Sequence, residues 1–174
     1  MPIPDRGDAS ELTRAAIEEL YRRMEKPMFN VVVRRLWDPH EAQDVVQEVF
    51  LRLWRHRRQV RGETVNAWLY RSALNLASNR RRFARLRRWV GVEAAAQIPA
   101  GDGSLVDVEN RQDERRLHAA IDALPDKLRR ALLLTEFAEL SHAEVAEALG
   151  IPVGTVASRR HLALKRLAAL VGPA

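Results

Sequence analysis

Residues 65–88 carry aromatic, amide and guanidinium side chains at the spacing of one helix face. Such groups could stack on bases, hydrogen-bond base edges and pair with phosphates. The opposite face contains Leu69, Ser72, Ala73, Leu76 and Phe83, which predicts an inward-facing stripe. The alternative is that Trp68 is a core residue and the other side chains are merely solvated, although for the arginine run we favour phosphate contact. The candidate nucleic-acid face consists of Trp68, Arg71, Asn75, Ser78, Asn79 and Arg82, together with the run "RRRFARLRR", which begins at Arg80.

A second helix, "AQDVVQEVFLRLWRH" at residues 42–56, places Leu51 on a face that is otherwise polar. A helix that served only its own core would have a polar residue at this position. One exposed leucine is common, but an apolar centre with a polar rim has the composition of a small protein interface. The opposite face predicts a core stripe of Ala42, Val45, Val46, Val49, Phe50, Leu53 and Trp54. The candidate interface comprises Asp44, Gln47, Glu48, Leu51 and Arg55.

The stretch "LSHAEVAEALGIPVGTVASRRHLALKRL" at residues 140–167 predicts a helix-turn-helix. Ser141 and Glu144 have capping-box spacing, and Gly150 supplies a helix end. In the second helix Val153, Val156, Ala163, Leu164 and Leu167 form the predicted inward stripe, on which Arg160 also falls and therefore needs a partner. The outward face, which would enter a major groove, contains Thr155, Ser158, Arg159, Leu162 and Arg166.

Helical periodicity dominates the rest of the chain, and strand signals are nearly absent. We predict helices at 11–36, 39–57, 65–88, 113–123, 126–138, 142–149 and 152–170. Residues 91–112 contain Gly, Pro and acidic residues without a sustained period, which indicates a linker. The predicted fold is all-α, with two small helical domains joined by a flexible linker, the C-terminal one a helix-turn-helix. The predicted divisions are a flexible tail at 1–10, a helical domain at 11–90, the linker at 91–112 and the second domain at 113–174.

The basic charge of the chain is concentrated in its first half. Residues 1–90 hold 19 basic and 11 acidic side chains, a net charge of +8, whereas the whole 174-residue chain has a net charge of +6. Between Leu51 and Val90 the only acidic residue is Glu63. Because solvated protein surfaces usually mix both signs, this segregation favours a polyanion as partner over an ordinary exposed face.

Several function classes find no support in the sequence. There is no cysteine, and the five histidines (His40, His56, His118, His142 and His161) lack metal-ligand spacing. No nucleophile–base pair or Gly-rich phosphate loop is present, so we expect no catalytic site, metal or cofactor. The N-terminus lacks an apolar signal core, and no run approaches the roughly 20 apolar residues of a membrane span. We therefore expect a cytoplasmic protein without membrane insertion.

Three segments together resemble the extracytoplasmic-function (ECF) sigma factors, the group of the sigma-70 family that retains only the second and fourth conserved regions. They are "AQDVVQEVFLRLW", "NAWLYRSALNLASNRRR" and "LPDKLRRALLLTEFAELSHAEVAEALGIPVGTVASR", and the likeness covers residues 12–88 and 113–170. It implies an RNA polymerase sigma factor that binds core polymerase, recognises the −35 and −10 promoter elements and promotes promoter melting.

The resemblance also implies roles for the three faces. The face around Leu51 would dock on the clamp helices of the polymerase β′ subunit, and the β subunit would be a further contact. The loop "RQVRGETV", which contains Arg61, would capture a flipped base, and the Trp68–Arg82 face would bind single-stranded −10 DNA. The helix-turn-helix would bind the −35 element as duplex. An anti-sigma factor, on a separate chain, is the family's usual regulator.

This chain departs from the family pattern at two positions of the −35 helix. The family commonly has a basic residue at the position of Ala157 and an arginine near Leu162. Two expected DNA contacts are therefore missing, and the candidates to replace them are Arg159, Arg160, His161 and Lys165.

Two other functions remain as alternatives at this point. One is an autonomous helix-turn-helix regulator whose N-terminal bundle dimerises or senses a signal, and the other is a small enzyme on a helical bundle. A regulator of the first kind would self-associate through the face around Leu51, whereas a sigma factor would be a monomer that binds polymerase. The absence of a catalytic constellation disfavours the enzyme.

Overall fold

The computed structural model describes residues 12–89 and 105–171, and all regular structure in these two ranges is helical. This confirms the predicted all-α class. None of the described helices is long and apolar enough to cross a membrane. The elements are α1 (Arg14–Leu36), α2 (Pro39–His56), a short 3-10 turn (Gly62–Thr64), α3 (Val65–Trp89), α4 (Leu105–Ala123), α5 (Asp126–Phe137), α6 (His142–Leu149) and α7 (Val153–Val171).

The boundaries agree closely with the predicted ones, with one exception. Helix α4 begins at Leu105 rather than at 113, so its first two turns fall within the segment that was predicted as linker. The predicted tail at 1–10 and residues 91–104 of the predicted linker lie outside the described residues.

Local capping chemistry explains where the helices begin and end. Asp38 accepts hydrogen bonds from the backbone N–H of His40 (2.9 Å) and Glu41 (3.0 Å), which satisfies donors at the start of α2. At α6, Ser141 and Glu144 form the predicted capping box. Gly150 ends that helix with φ 65°, a left-handed conformation that glycine adopts without a Cβ clash.

Helices α1, α2 and α3 form the first module. The core stripe of α2 is buried as predicted, except that Trp54 is 40% exposed, with the Arg57 guanidinium 4.3 Å from the centre of its ring. On α3 the predicted inward position of Phe83 is also wrong, because this ring is 60% exposed. Phe83 lies towards the C-terminal end of α3. Leu69, Ala73 and Leu76 are buried as predicted, and Tyr70, Leu74 and Ala77 are buried beside them.

Helices α4 to α7 form the second module. Leu124, Leu128 and Leu132 pack with Ala163 of α7 in a small cluster. Arg160, which the sequence places on the inward stripe, forms an ion pair with Glu136. Its Nε lies 2.6 Å from Oε1 of that carboxylate. Two predicted inward residues of α7 are wrong, because Val153 and Leu164 are exposed.

The two modules pack directly on each other. Their buried apolar side chains form one continuous cluster, which joins the core of the first module to Leu133, Leu134, Ala138 and the buried residues of α6. The Tyr70 hydroxyl donates a hydrogen bond of 2.9 Å to the backbone oxygen of Ala138 across this contact. Burial raises the pKa of Tyr70, so the hydroxyl stays protonated and remains a donor.

Candidate partner and nucleic-acid interfaces

The candidate interface on α2 has the geometry that its sequence predicts. Leu51 is 56% exposed, and Asp44, Gln47 and Arg55 are exposed around it. Because the opposite side of α2 holds the core of the first module, Leu51 has no folding role that would explain its position. An exposed leucine within a polar rim is suited to a partner that buries it.

Glu48, the remaining member of this face, is partly buried and fixed by two arginines. It accepts hydrogen bonds from Arg52 (2.5 Å and 3.1 Å) and from Arg80 (3.2 Å). Burial acts to raise the pKa of Glu48, but the hydrogen bonds from both guanidiniums outweigh it and lower the pKa below its ordinary value. The carboxylate is therefore ionised at neutral pH and held in one orientation.

Arg80 lies between the two predicted faces. Its guanidinium contacts Glu41 at 2.6 Å and Glu48 at 3.2 Å, with Asp44 at 3.9 Å. A guanidinium that is already paired with carboxylates is less available to a phosphate. In this structure Arg80 therefore orients the carboxylates of α2 rather than extending into solvent with the nucleic-acid face.

The candidate nucleic-acid face of α3 is divided between core and solvent. Trp68 is partly buried and packs against the core of the first module, so the core interpretation holds in part and its contact with nucleic acid stays a prediction. Ser78 is also partly buried. The other members of the face on α3, together with Arg61 in the preceding loop, are exposed: Arg71, Asn75, Asn79 and Arg82.

The second module covers part of this face through polar contacts. Arg71 donates to the backbone oxygens of Glu147 (2.5 Å) and Ala148 (3.0 Å), near the negative end of the α6 dipole. Arg130 of α5 donates to the side-chain oxygen of Asn75 at 3.1 Å. Groups that the sequence assigned to DNA are thus hydrogen-bonded within the chain when the modules are together.

Asp122 of α4 is the centre of a network that sequence reasoning missed. Both its oxygens accept from Arg81 (2.6 Å and 2.8 Å), and Oδ1 also accepts from Arg129 (3.1 Å) and from the Trp37 indole N–H (3.2 Å). The Trp37 ring stacks on His118 of α4, with ring centres 3.6 Å apart. Two of these partners, Arg81 and Trp37, belong to the first module, so Asp122 fastens the modules together. No local pattern signals pairs so distant in sequence.

The outward face of α7 lies opposite its buried Val156 and Ala163. The predicted −35 residues all lie on this accessible side. Thr155 and Arg159 are partly exposed, and the exposed members are Ser158, His161, Leu162, Lys165 and Arg166. The face combines hydroxyl, guanidinium, ammonium and apolar groups, which can contact both phosphates and base edges in a major groove.

Comparison with known proteins identifies the family. The sequence matches the family models for sigma-70 region 2 over residues 5–87 and for sigma-70 region 4 over residues 114–167. It is 36% identical over 165 residues to the RNA polymerase sigma-H factor of Pseudomonas aeruginosa, covering 88% of this chain and 82% of that protein. The chain belongs to the sigma-70 family.

Further relatives place this sigma factor in the ECF group. It is 34% identical over 163 residues to the ECF RNA polymerase sigma factor SigL of Mycobacterium tuberculosis, covering 91% of this chain and 90% of that protein. Its fold matches the sigma factor RpoE in a co-crystal structure with the anti-sigma factor NepR from Bartonella quintana. That match has a TM-score of 0.65 and 24% identity, and covers 91% of this chain and 98% of the other.

This sigma factor therefore binds core RNA polymerase, recognises the −35 and −10 promoter elements and promotes promoter melting. The family assignment decides against the alternative that the chain is an autonomous helix-turn-helix regulator, which the sequence patterns left open. Sigma factors are initiation factors, and the polymerase carries out RNA synthesis. Within residues 12–89 and 105–171, no group of His, Cys, Asp and Glu side chains is arranged to hold a metal ion.

Replacement of Asp122 tests the network between the modules. Asp122→Asn keeps the shape but removes the negative charge shared by Arg81 and Arg129, so we expect the free energy of unfolding to fall by about 1–3 kcal/mol. Urea denaturation followed by circular dichroism measures this change. Asp44→Asn, on the exposed face of α2, is the control and should leave the stability within about 0.5 kcal/mol of the wild type. Equal stability of the two variants would contradict a structural role for Asp122.

Proposed function

We propose that the exposed face of α2 is the surface on which this sigma factor binds the clamp helices of the polymerase β′ subunit, while the β subunit is contacted elsewhere. The observation that carries the proposal is the exposure of Leu51 inside a rim formed by Asp44, Gln47, Glu48 and Arg55. A partner that covers Leu51 gains apolar burial, and the ionised, oriented Glu48 supplies a directional polar contact at its edge.

The face of α3, with Arg61 in the loop before it, is the proposed site for the single-stranded −10 element. Exposed guanidiniums and amides can bind phosphates and base edges, and the partly exposed Trp68 offers a stacking surface. Extraction of a base from the duplex stack costs a few kcal/mol, which such contacts offset. Because Arg71 and Asn75 are hydrogen-bonded to the second module here, DNA reaches this face only after that module moves away.

The exposed face of α7 is the proposed reader of the −35 element in duplex form. The four basic or imidazole side chains Arg159, His161, Lys165 and Arg166 supply phosphate contacts and base contacts, while Thr155, Ser158 and Leu162 provide hydroxyl and apolar groups. Ala157 is exposed on the same helix but is too short to reach a base edge or a phosphate. The −35 preference of this chain therefore depends on Arg159 and its basic neighbours.

The fold shared with a sigma factor that was crystallised with an anti-sigma factor supports regulation of this chain by a separate protein of that kind. We place its action in the cytoplasm with polymerase, and assign it no catalytic activity and no cofactor. The proposed domain division is 11–90 for −10 and polymerase binding and 113–174 for −35 binding.

Run-off transcription tests the function as a whole. Core polymerase supplied with this chain should initiate at a defined subset of a promoter library, and core alone should not initiate at those sites. Transcripts that core makes alone from the same start points would contradict the proposed role.

Asn75→Ala should impair promoter opening more than duplex −35 binding. The substitution removes an amide from the face that would hold the separated strand, whereas α7 is unaffected. We expect open-complex formation on duplex promoters to fall several-fold, with near wild-type activity on pre-melted templates. Permanganate reactivity of unpaired thymines measures opening, and Asn30→Ala on α1 is the matched control. Equal losses on duplex and pre-melted templates would show that Asn75 has no role in opening.

A further inference from the structure

A cavity of about 250 Å³ lies where the two modules meet. Its walls come from α1, α3 and α5, so it exists only while the modules are packed together. Among the described residues that line it are five guanidiniums, one carboxylate and one hydroxyl. The lining residues are Arg35, Ser78, Arg81, Arg82, Arg85, Asp126 and Arg129.

Two of these arginines are buried and have N–H donors that no described acceptor uses. Arg35 and Arg129 are only 5% and 7% exposed. Nη2 of Arg35 donates to Ser78 (3.0 Å) and to Asp126, but its Nε and Nη1 have no hydrogen-bond partner among the described residues, and neither has Nε of Arg129. Unsatisfied charged donors away from water are costly, and a ligand that accepts from them removes this cost.

The carboxylates of the described residues do not neutralise the cluster. With Asp122 and Arg130, which contact its members, the group holds six arginines and two aspartates, a net charge of +4. Burial, and then the neighbouring Arg35 and Arg81, lowers the pKa of Arg129 to about 10. At the rim, Arg82 and Arg85 make no hydrogen bond or ion pair with any described residue. The excess of positive charge favours an anion that carries more than one charge.

We propose that this cavity binds a small multivalent phosphate, of the size of a diphosphate group. Planar guanidiniums bind phosphate oxygens through paired hydrogen bonds, and several of them around one cavity select for phosphate over a monovalent anion. A cavity of about 250 Å³ has room for several waters, and therefore for a phosphate or a diphosphate group.

The bound anion would connect the modules, since Arg35 and Arg81 belong to the first and Arg129 to the second. A ligand that binds only one arrangement of a protein increases the population of that arrangement. Occupation of the cavity therefore favours the packed arrangement, in which Arg71 and Asn75 are held by the second module and withheld from DNA. The chemistry assigns the phosphate to a free small molecule, because a duplex backbone cannot reach side chains as buried as Arg35 and Arg129.

Calorimetric titration of the full chain with pyrophosphate, without polymerase or DNA, tests the site independently of transcription. We expect one pyrophosphate per chain. Arg82→Gln combined with Arg85→Gln should weaken binding at least tenfold, because both rim guanidiniums are lost and neither is engaged in the fold. The matched control is Arg22→Gln combined with Arg23→Gln, on the exposed side of α1. It has the same net charge as the Arg82/Arg85 double variant and should bind pyrophosphate as tightly as the wild type does.

The other possible outcomes of this titration would each overturn the proposed phosphate site. Absence of pyrophosphate binding, or equal weakening in both double variants, would overturn the site, since the second result would reflect net charge alone. A third result would also overturn the site: the chain binds a DNA duplex without a promoter through Arg82 and Arg85 but does not bind pyrophosphate. These two guanidiniums would then be assigned to DNA.

A second measurement tests the bridging role. In a chain with Arg34→Cys and Phe137→Cys, which replace two side chains in contact across the modules, pyrophosphate should accelerate cross-linking by a short bismaleimide at least threefold. An unchanged or slower rate would show that the anion does not hold the modules together. Sodium chloride at equal ionic strength controls for screening of charges.

Discussion

A chain with Gln47→Ala and Leu51→Ala should bind core RNA polymerase at least about tenfold more weakly than the wild type, a loss of about 1.4 kcal/mol. Leu51 is the apolar centre of the proposed interface, and Gln47 is the exposed amide beside it. Truncation at the centre of an interface usually carries the largest cost. Since the core of the first module lies on the other side of α2, the urea midpoint should stay unchanged. Competition for core polymerase against a labelled wild-type chain measures the affinity.

The matched control removes the same two residue types from exposed positions of another helix. Gln112→Ala combined with Leu117→Ala lies on α4, where Leu117 is exposed to a similar degree. This variant should compete as well as the wild type. Unchanged affinity of the α2 variant in a pull-down, or an equal loss in both, would refute the assignment of the α2 face to polymerase.

Covalent joining of the two modules should abolish promoter opening. Arg34 and Phe137 lie in contact between α1 and α5, with the guanidinium 4.0 Å from the ring centre, and neither belongs to a proposed DNA or polymerase face. Because the chain has no native cysteine, Arg34→Cys and Phe137→Cys provide the only two reactive thiols. A short cleavable cross-linker between them holds the second module over α3. We expect the open complex to fall below a tenth of the wild-type level.

Reduction of the cross-linker and a mono-functional maleimide serve as controls. Cleavage should restore opening, and the same double variant blocked with the mono-functional reagent should open promoters nearly as well as the unmodified variant. Permanganate footprinting follows unpaired DNA in all three samples. A cross-linked chain that melts promoters at the wild-type rate would show that DNA reaches the −10 face without separation of the modules.

The seven helices were predictable because their signals are local. Hydrophobic periodicity and caps such as Asp38, or Ser141 with Glu144, act over three or four residues, and the structure places the helix ends within a few residues of them. Helix α4 is the exception, because the residues before 113 have no sustained apolar period. The residues that form its first turns have a composition that is typical of linkers.

The candidate faces were predictable only in part. A helical wheel shows which side chains share a face, so the exposure of Leu51 on α2 and of Ser158, Leu162 and Arg166 on α7 was predicted correctly. It does not show how far a neighbouring helix extends, and for this reason Trp54, Phe83, Val153 and Leu164 were assigned to the core although they are exposed. The apolar stripe of each helix is longer than the surface that covers it.

The sequence alone therefore determined the all-α class, the helix-turn-helix and the exposed leucine of α2, since each follows from periodicity within one helix. Only the tertiary structure decided which charges meet. The contacts of Arg71 with Glu147, of Arg81 with Asp122 and of Arg35 with Asp126 join residues from different modules. Guanidiniums and carboxylates pair with whichever opposite charge the packing of helices brings near. That packing depends on the shapes of two complete modules and not on the spacing within either one.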